Sequence, residues 1–227
     1  MSSTGSLFSK FLLQKNPDLD LPDGISIINP YQKQEVRSVV NSFCSRFYHD
    51  SSERILILGI NPGRFGAGVT GIPFTDPIAL ENYCNIPNSF PKKHELSSRF
   101  IYVMINALGG AEKFYSKFLL SAVCPLGFLN GNKNYNYYDS PVLFNSVSGF
   151  VKKSLKQQAL LNIHKTTVVS LGKKNASFLE ALNREIKLFK SVITLEHPRF
   201  IMQYRLKSMH RYVDEYYKVL SGISNQL

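Results

Sequence analysis

Three short stretches of this chain hold the residues with the most chemical content. The first, Gly59 to Phe74, reads GINPGRFGAGVTGIPF. Its glycines (Gly59, Gly63, Gly66, Gly68 and Gly71) permit close backbone approaches. Asn61 at its head carries an amide that both donates and accepts. No Gly-Lys-Ser/Thr follows, so this is not a P-loop, and a dinucleotide-fingerprint spacing is absent. The residues alone leave two readings open, a ligand-cradling loop or a turn-rich structural one. Asn61 likewise reads either as a site residue or as a turn residue bonded to its own backbone. The second stretch runs from Ser121 to Phe128 through Cys124-Pro125. The third, Leu195 to Arg205, reads LEHPRFIMQYR and sets His197 directly before Pro198. An imidazole in such a place can act as acid, base or neutral hydrogen-bond donor. His49, His94, His164 and His210 lack that setting and read as surface or packing residues.

These stretches need elements to position them. Arg54 to Gly59 (RILILG) is a short apolar run closed by a Gly/Pro-rich loop, which predicts a buried parallel strand. Phe118 to Val123, Thr166 to Leu171 and Val192 to Leu195 are three further strand candidates. Helices are expected from Asn29-Pro30, an N-cap followed by Pro at the first helical position, to Phe47. Others are expected over Phe100 to Leu108, Pro141 to Leu161, Asn175 to about Phe189, and within Ile201 to Leu220. The alternation predicts an α/β fold of three layers, α/β/α, around a central four-stranded parallel sheet. A single domain over 1–227 is expected, with residues 1–50 as a helical lead-in. In such sheets ligands gather at the carboxyl ends of strands. The three stretches all leave predicted strands at those ends.

Composition bounds the function. The 227 residues carry 27 Lys plus Arg against 16 Asp plus Glu, a formal net charge of +11. A basic surface attracts polyanions, although a solvated housekeeping surface would look the same from charge alone. No apolar run approaches a membrane span of about 18 to 20 residues. Lys10 interrupts the N-terminal apolar patch and no small-residue cleavage site follows it, so neither membrane association nor a signal peptide is expected. Cys44, Cys84 and Cys124 are odd in number and far apart, which suits a reducing compartment and supplies no zinc-ligand spacing.

The first stretch resembles the leading motif of the SMUG-type enzymes (single-strand-selective monofunctional uracil-DNA glycosylases) of the uracil-DNA glycosylase superfamily. Asn61-Pro62-Gly63, Phe65-Gly66 and Thr70-Gly71-Ile72-Pro73-Phe74 follow the family order without a gap; Ile60 stands for Met and Ile72 for Val. Within that type, the stretch resembles the bacterial SMUG2-like subfamily. The resemblance implies that Asn61 orients the hydrolytic water and that His197, in the family's His-Pro motif, donates to the uracil O2 as the base leaves. It makes Ile60, Gly63, Phe74, Ser121 and Ala122 base-binding residues. Phe74 would stack on the flipped base, and Gly63 would leave room for substituents on the pyrimidine 5-position. Arg64, Arg199, Phe200 and Arg205 would contact DNA, with Ile201 and Met202 as further candidates for an apolar wedge. The middle stretch departs from the family. The Asn that reads the uracil edge falls on Ala122, which has no hydrogen-bonding side chain.

The resemblance thus implies a monofunctional hydrolase of the N-glycosidic bond of uracil, 5-substituted uracils or other deaminated bases in DNA. No cofactor, metal or covalent lysine intermediate is expected, and no Lys lies in the three stretches. The expected partner is lesion-containing DNA, single- or double-stranded, the expected state a monomer, and the expected location the bacterial cytoplasm. Two rivals are a non-catalytic module binding single-stranded nucleic acid on the Phe74 platform, and a hydrolase of free nucleosides, which would not need the basic surface.

Overall fold

The structure is a computed structural model that describes residues 2–14 and 17–225. In chain order the elements are α1 (Thr4–Leu13), β1 (Ile25–Ile28), α2 (Gln34–Phe47), β2 (Arg54–Gly59), α3 (Ala67–Thr70), α4 (Pro77–Asn82), α5 (Leu96–Ala107) and α6 (Ala111–Lys117). They continue with β3 (Phe118–Ala122), β4 (Gly127–Asn130), β5 (Lys133–Tyr135), α7 (Pro141–Gln158), β6 (Ile163–Leu171), α8 (Lys173–Ile186), β7 (Ser191–Leu195), α9 (Pro198–Tyr204) and α10 (Met209–Ser224).

The central sheet has the order β3-β2-β6-β7, and every pairing in it is parallel. All six residues of β2 are buried. Successive strand residues point to opposite faces, so unbroken burial requires both faces to be covered. Helices flank the sheet accordingly, and the expected three-layer α/β architecture is the one observed. The register sets Gly59 beside Ala122 and Leu171 beside Leu195. The ends of β2, β3 and β7 therefore reach one edge of the sheet together.

Arg54 opens β2 with a fully buried guanidinium. It donates to the carbonyls of Tyr115 and Ser52 and to both carboxylate oxygens of Asp50. Those bonds hold the Asp50 carboxyl below its ordinary pKa, with the Arg54 hydrogen bond as the largest cause.

Three expectations need correction. The first fifty residues are not helical throughout: β1 pairs with β4, and β4 with β5, to make a separate three-stranded antiparallel sheet. Asn29-Pro30 does cap a helical turn, but a 3-10 one (Pro30–Gln32), and α2 starts afresh at Gln34. The last helix is two, α9 and α10, separated by Arg205 and a 3-10 turn over Leu206–Ser208. Residues 1, 15, 16, 226 and 227 of the expected 1–227 unit lie outside the described residues.

Among the described residues no helix is long and apolar enough to cross a membrane, and no three His, Cys, Asp or Glu side chains cluster as metal ligands. Cys44, Cys84 and Cys124 are all buried thiols.

Candidate active site

The carboxyl ends of β2, β3 and β7 open onto a cavity of about 780 Å³. Ten of the residues expected at a site line it: Asn61, His197, Ile60, Gly63, Phe74, Ser121, Ala122, Arg64, Arg199 and Phe200. Their convergence follows from the sheet register, which aligns the three strand ends before any loop begins.

Asn61 is not bonded only to its own turn. Its Oδ1 accepts the Tyr137 backbone N–H at 3.1 Å, and its Nδ2 donates to the Tyr135 carbonyl at 3.3 Å and the Pro62 carbonyl at 3.4 Å. A backbone N–H can only donate, so the amide's orientation is fixed, with one Oδ1 lone pair unspent. That atom can accept a hydrogen bond from a water molecule. An amide does not titrate near neutrality, so its capacity is to orient the water rather than deprotonate it.

Phe74 stands at φ +55°, a backbone conformation that residues with a Cβ rarely adopt. Thr70 secures the turn by accepting from Ile72 N and donating to the Thr75 carbonyl at 2.6 Å. The ring lies directly on Gly59, where a Cβ would come within 2.4 Å of its Cζ. Only glycine at the end of β2 lets the ring settle there. The ring is half-buried and lies 6.2 Å from the imidazole of His197 between centroids.

His197 caps α9. Its Nδ1 accepts the Arg199 backbone N–H at 3.1 Å, and Pro198 fills the first helical position. Burial first, and the Arg199 charge second, push its pKa down to about 4. The ring is therefore neutral at physiological pH. With Nδ1 accepting, the single proton resides on Nε2. The side chain is thus a fixed neutral donor. Gly172, at φ +99°, backs it closely; a Cβ there would meet His197 Cβ at 3.2 Å. The preceding Glu196 carbonyl accepts from the Tyr216 hydroxyl, which anchors the loop to α10.

On the β3 side, Ser121 is buried and its Oγ has no hydrogen-bond partner among the described residues. A buried hydroxyl without a partner is costly, on the order of 1–3 kcal/mol, unless a ligand completes it. Ala122 contributes only a methyl, while its carbonyl accepts from Gln158 Nε2 at 3.1 Å.

Among the described residues, Arg64, Lys133 and Arg199 are the Lys and Arg side chains lining the cavity, and Glu95 is the one carboxylate. Glu95 Oε2 is occupied in capping α5 through Ser98 N. The rim is thus biased toward anions. Arg64 lies over the Phe65 ring at 4.5 Å and donates to the Asn132 carbonyl. Arg205 is exposed but outside the cavity lining, with its guanidinium 5.5 Å from the Phe200 ring.

Ile201 and Met202 do not form a wedge: both are core residues, because they occupy the inner face of α9. The large exposed apolar residues here are instead Tyr204 and Leu206. His94, taken as an outlying histidine, lines the cavity and is exposed.

The largest omission is the β4–β5 hairpin. It brings Lys133 and Asn134 to the cavity, and Asn136 follows just beyond it. Lys133 therefore reaches the site from outside the three stretches that lack lysine. A signal was present: Gly131-Asn132 between Phe128-Leu129-Asn130 and Lys133-Asn134-Tyr135 is a two-residue Gly-Asn hairpin pattern. In the structure Asn130 pairs with Lys133 across that turn, and Gly131 has φ +54°.

A parallel β-sheet with a cavity at its strand ends holds a fixed amide, a half-buried aromatic ring and a neutral imidazole together. The chain belongs to the uracil-DNA glycosylase superfamily, whose family model matches residues 46–221. Within it, the fold is similar to the crystal structure of SMUG2 from Pedobacter heparinus, with 46% identity and a TM-score of 0.95 over 99% of this chain and 100% of that one. The rat single-strand selective monofunctional uracil-DNA glycosylase is 27% identical over 131 residues, 49% of this chain and 45% of the rat protein. The bovine protein of that name is 27% identical over 119 residues, 44% and 42% of the two chains. The chain thus spans about half the length of the mammalian relatives it matches.

Proposed function

We propose that the protein is a monofunctional DNA glycosylase that hydrolyses the N-glycosidic bond of uracil and related deaminated or 5-substituted bases in DNA. The observation that carries this reading is the pairing of two fixed groups in one cavity, Asn61 and His197, with the Phe74 ring lining the same cavity 6.2 Å from the imidazole.

The chemistry follows from those groups. A base flipped out of the stack lays its face on Phe74, which replaces the lost stacking. As the C1′–N1 bond breaks, its electron pair leaves with the base, and negative charge develops on the base while the sugar becomes cationic. His197 Nε2–H donates to the base O2; a neutral donor facing an oxyanion makes a charge-assisted bond that strengthens as the charge forms. Asn61 Oδ1 holds the water whose oxygen bonds to C1′, and the proton it releases passes through solvent to the departed base. Ser121 Oγ supplies a further contact to the base edge, where Ala122 gives none. Arg64 and Arg199 at the mouth, with Phe200 and Arg205 beside it, contact the DNA strand. One folded unit acting as a monomer is sufficient for all of these contacts.

The test is an end-labelled oligonucleotide with one uracil, incubated with the protein. Release of free uracil and a strand that breaks only after alkali support a monofunctional glycosylase. DNA binding without base release would replace this reading with that of a binding module. Base release from free deoxyuridine at the rate seen in DNA, insensitive to salt, would replace it with a nucleoside hydrolase.

A further inference from the structure

The hairpin brings Lys133 and Asn134 to the cavity, and the chemistry above uses neither; Asn134 is the one held in a fixed orientation. Asn134 is half-buried in β5, opposite Leu129, and faces the same cavity as Asn61 and His197. Its Oδ1 accepts the Arg64 backbone N–H at 3.1 Å. That partner can only donate, so the carboxamide cannot be flipped, and Nδ2 must be the end turned away. Nδ2 points across Gly63: a Cβ on that glycine would stand 3.3 Å from it. Among the described residues no protein acceptor takes its protons. The hairpin itself is held firmly. Arg64 donates to the Asn132 carbonyl, and Asn61 is bonded to Tyr135 and Tyr137.

We infer that Asn134 is a specificity-determining residue whose Nδ2–H favours bases carrying an oxygen on C5 and disfavours thymine. This rests on the glycosylase reading, in which Gly63 lies against the C5 edge of the bound base. The oxygen of a 5-formyl or 5-hydroxymethyl group extending over Gly63 meets a fixed donor. A methyl group in the same place covers that donor without pairing it, and an unpaired buried donor is what makes a polar site reject an isostere. Uracil has only a hydrogen at C5 and leaves the amide open to solvent. Discrimination by a side-chain amide, absent at Ala122, is thereby supplied from the β4–β5 hairpin.

Asn134→Asp separates this role from the structural one. The carboxylate still accepts from Arg64 N–H but offers no donor over Gly63. We expect the ratio of kcat/KM on 5-formyluracil to that on uracil to fall about tenfold or more. The ratio for 5-hydroxymethyluracil should fall less, because its hydroxyl can turn and donate to the carboxylate. Asn134→Leu, close in size but apolar, should raise the thymine-to-uracil ratio by about tenfold, with thermal unfolding confirming that the variant is folded. Unchanged ratios in both variants, or equal losses on all bases, would overturn the inference and leave Asn134 as a latch for the Arg64 turn. A wild-type protein that releases no uracil would instead overturn the glycosylase reading.

Discussion

The contact between Gly59 and Phe74 offers a perturbation whose size can be worked out from the structure. A Cβ at residue 59 would lie 2.4 Å from Phe74 Cζ and 2.6 Å from Cε2. Carbon atoms pack at about 3.5–4.0 Å, so the ring must retreat by roughly 1 Å. The backbone of Gly59 is ordinary strand, so alanine brings no dihedral penalty of its own. Phe74 cannot relax easily, because its φ of +55° is already held by the Thr70 turn. The whole effect of Gly59→Ala should therefore pass through the stacking surface. A stacked base is worth about 1–3 kcal/mol, or about 5- to 150-fold in kcat/KM. Single-turnover excision from a uracil oligonucleotide would be measured for Gly59→Ala, Phe74→Ala and the double variant. Each single change should fall within that range. In the Phe74→Ala background the space is open, so Gly59→Ala should add little. Additive losses, or a fully active Gly59→Ala, would refute the claim that Phe74 stacks on the base from its seat on Gly59.

Other expectations follow from the same geometry. His197→Ala should reduce excision of uracil more than that of 5-fluorouracil, whose anion needs less stabilisation; equal losses would indicate a packing role. The His197 ring should show no NMR titration between pH 8 and 5.5 and should protonate only near its lowered pKa of about 4, whereas a midpoint near the ordinary value of about 6.5 would contradict its burial. Because that folded pKa is depressed, the native state binds fewer protons than the unfolded chain between the two values. The stability from His197 is then full above about pH 6.5 and is lost as the pH falls toward the folded value. Ala122→Asn should sharpen the preference for uracil over xanthine, measured as a kcat/KM ratio, by restoring an edge-reading amide; a uniform fall on both bases would mean that Ser121 already fills that space.

The central strands were legible because β2 and β3 are buried on both faces, which writes runs such as RILILG into the sequence, while β6 keeps a buried VVSL end and β7 a short β-branched VIT segment. Gly59-Ile60-Asn61 and His197-Pro198 were legible because each lies at or just past the end of such a strand. The antiparallel sheet was not. β1 (ISII) is only four residues long, and β5 (KNY) is polar and partly exposed, so neither shows an apolar period. The Asn134 contribution was hidden with it, since a lone Asn on a polar strand looks like a solvated residue until the fold sets it over Gly63. Ile201 and Met202 were misread for a different reason: proximity to His197 in sequence says nothing about which face of α9 a residue occupies.

Asn61 provides the most direct test of the account, because its amide is fixed by three backbone partners and yet retains a lone pair for water. The measurement is the single-turnover rate of uracil release by Asn61→Ala beside its affinity for the same oligonucleotide. Loss of an oriented transition-state contact should slow release by about 10²-fold or more, as for other preorganised donors and acceptors, while binding is retained. Release near the wild-type rate by a folded Asn61→Ala would contradict the assignment of this cavity as the place where the glycosidic bond is hydrolysed.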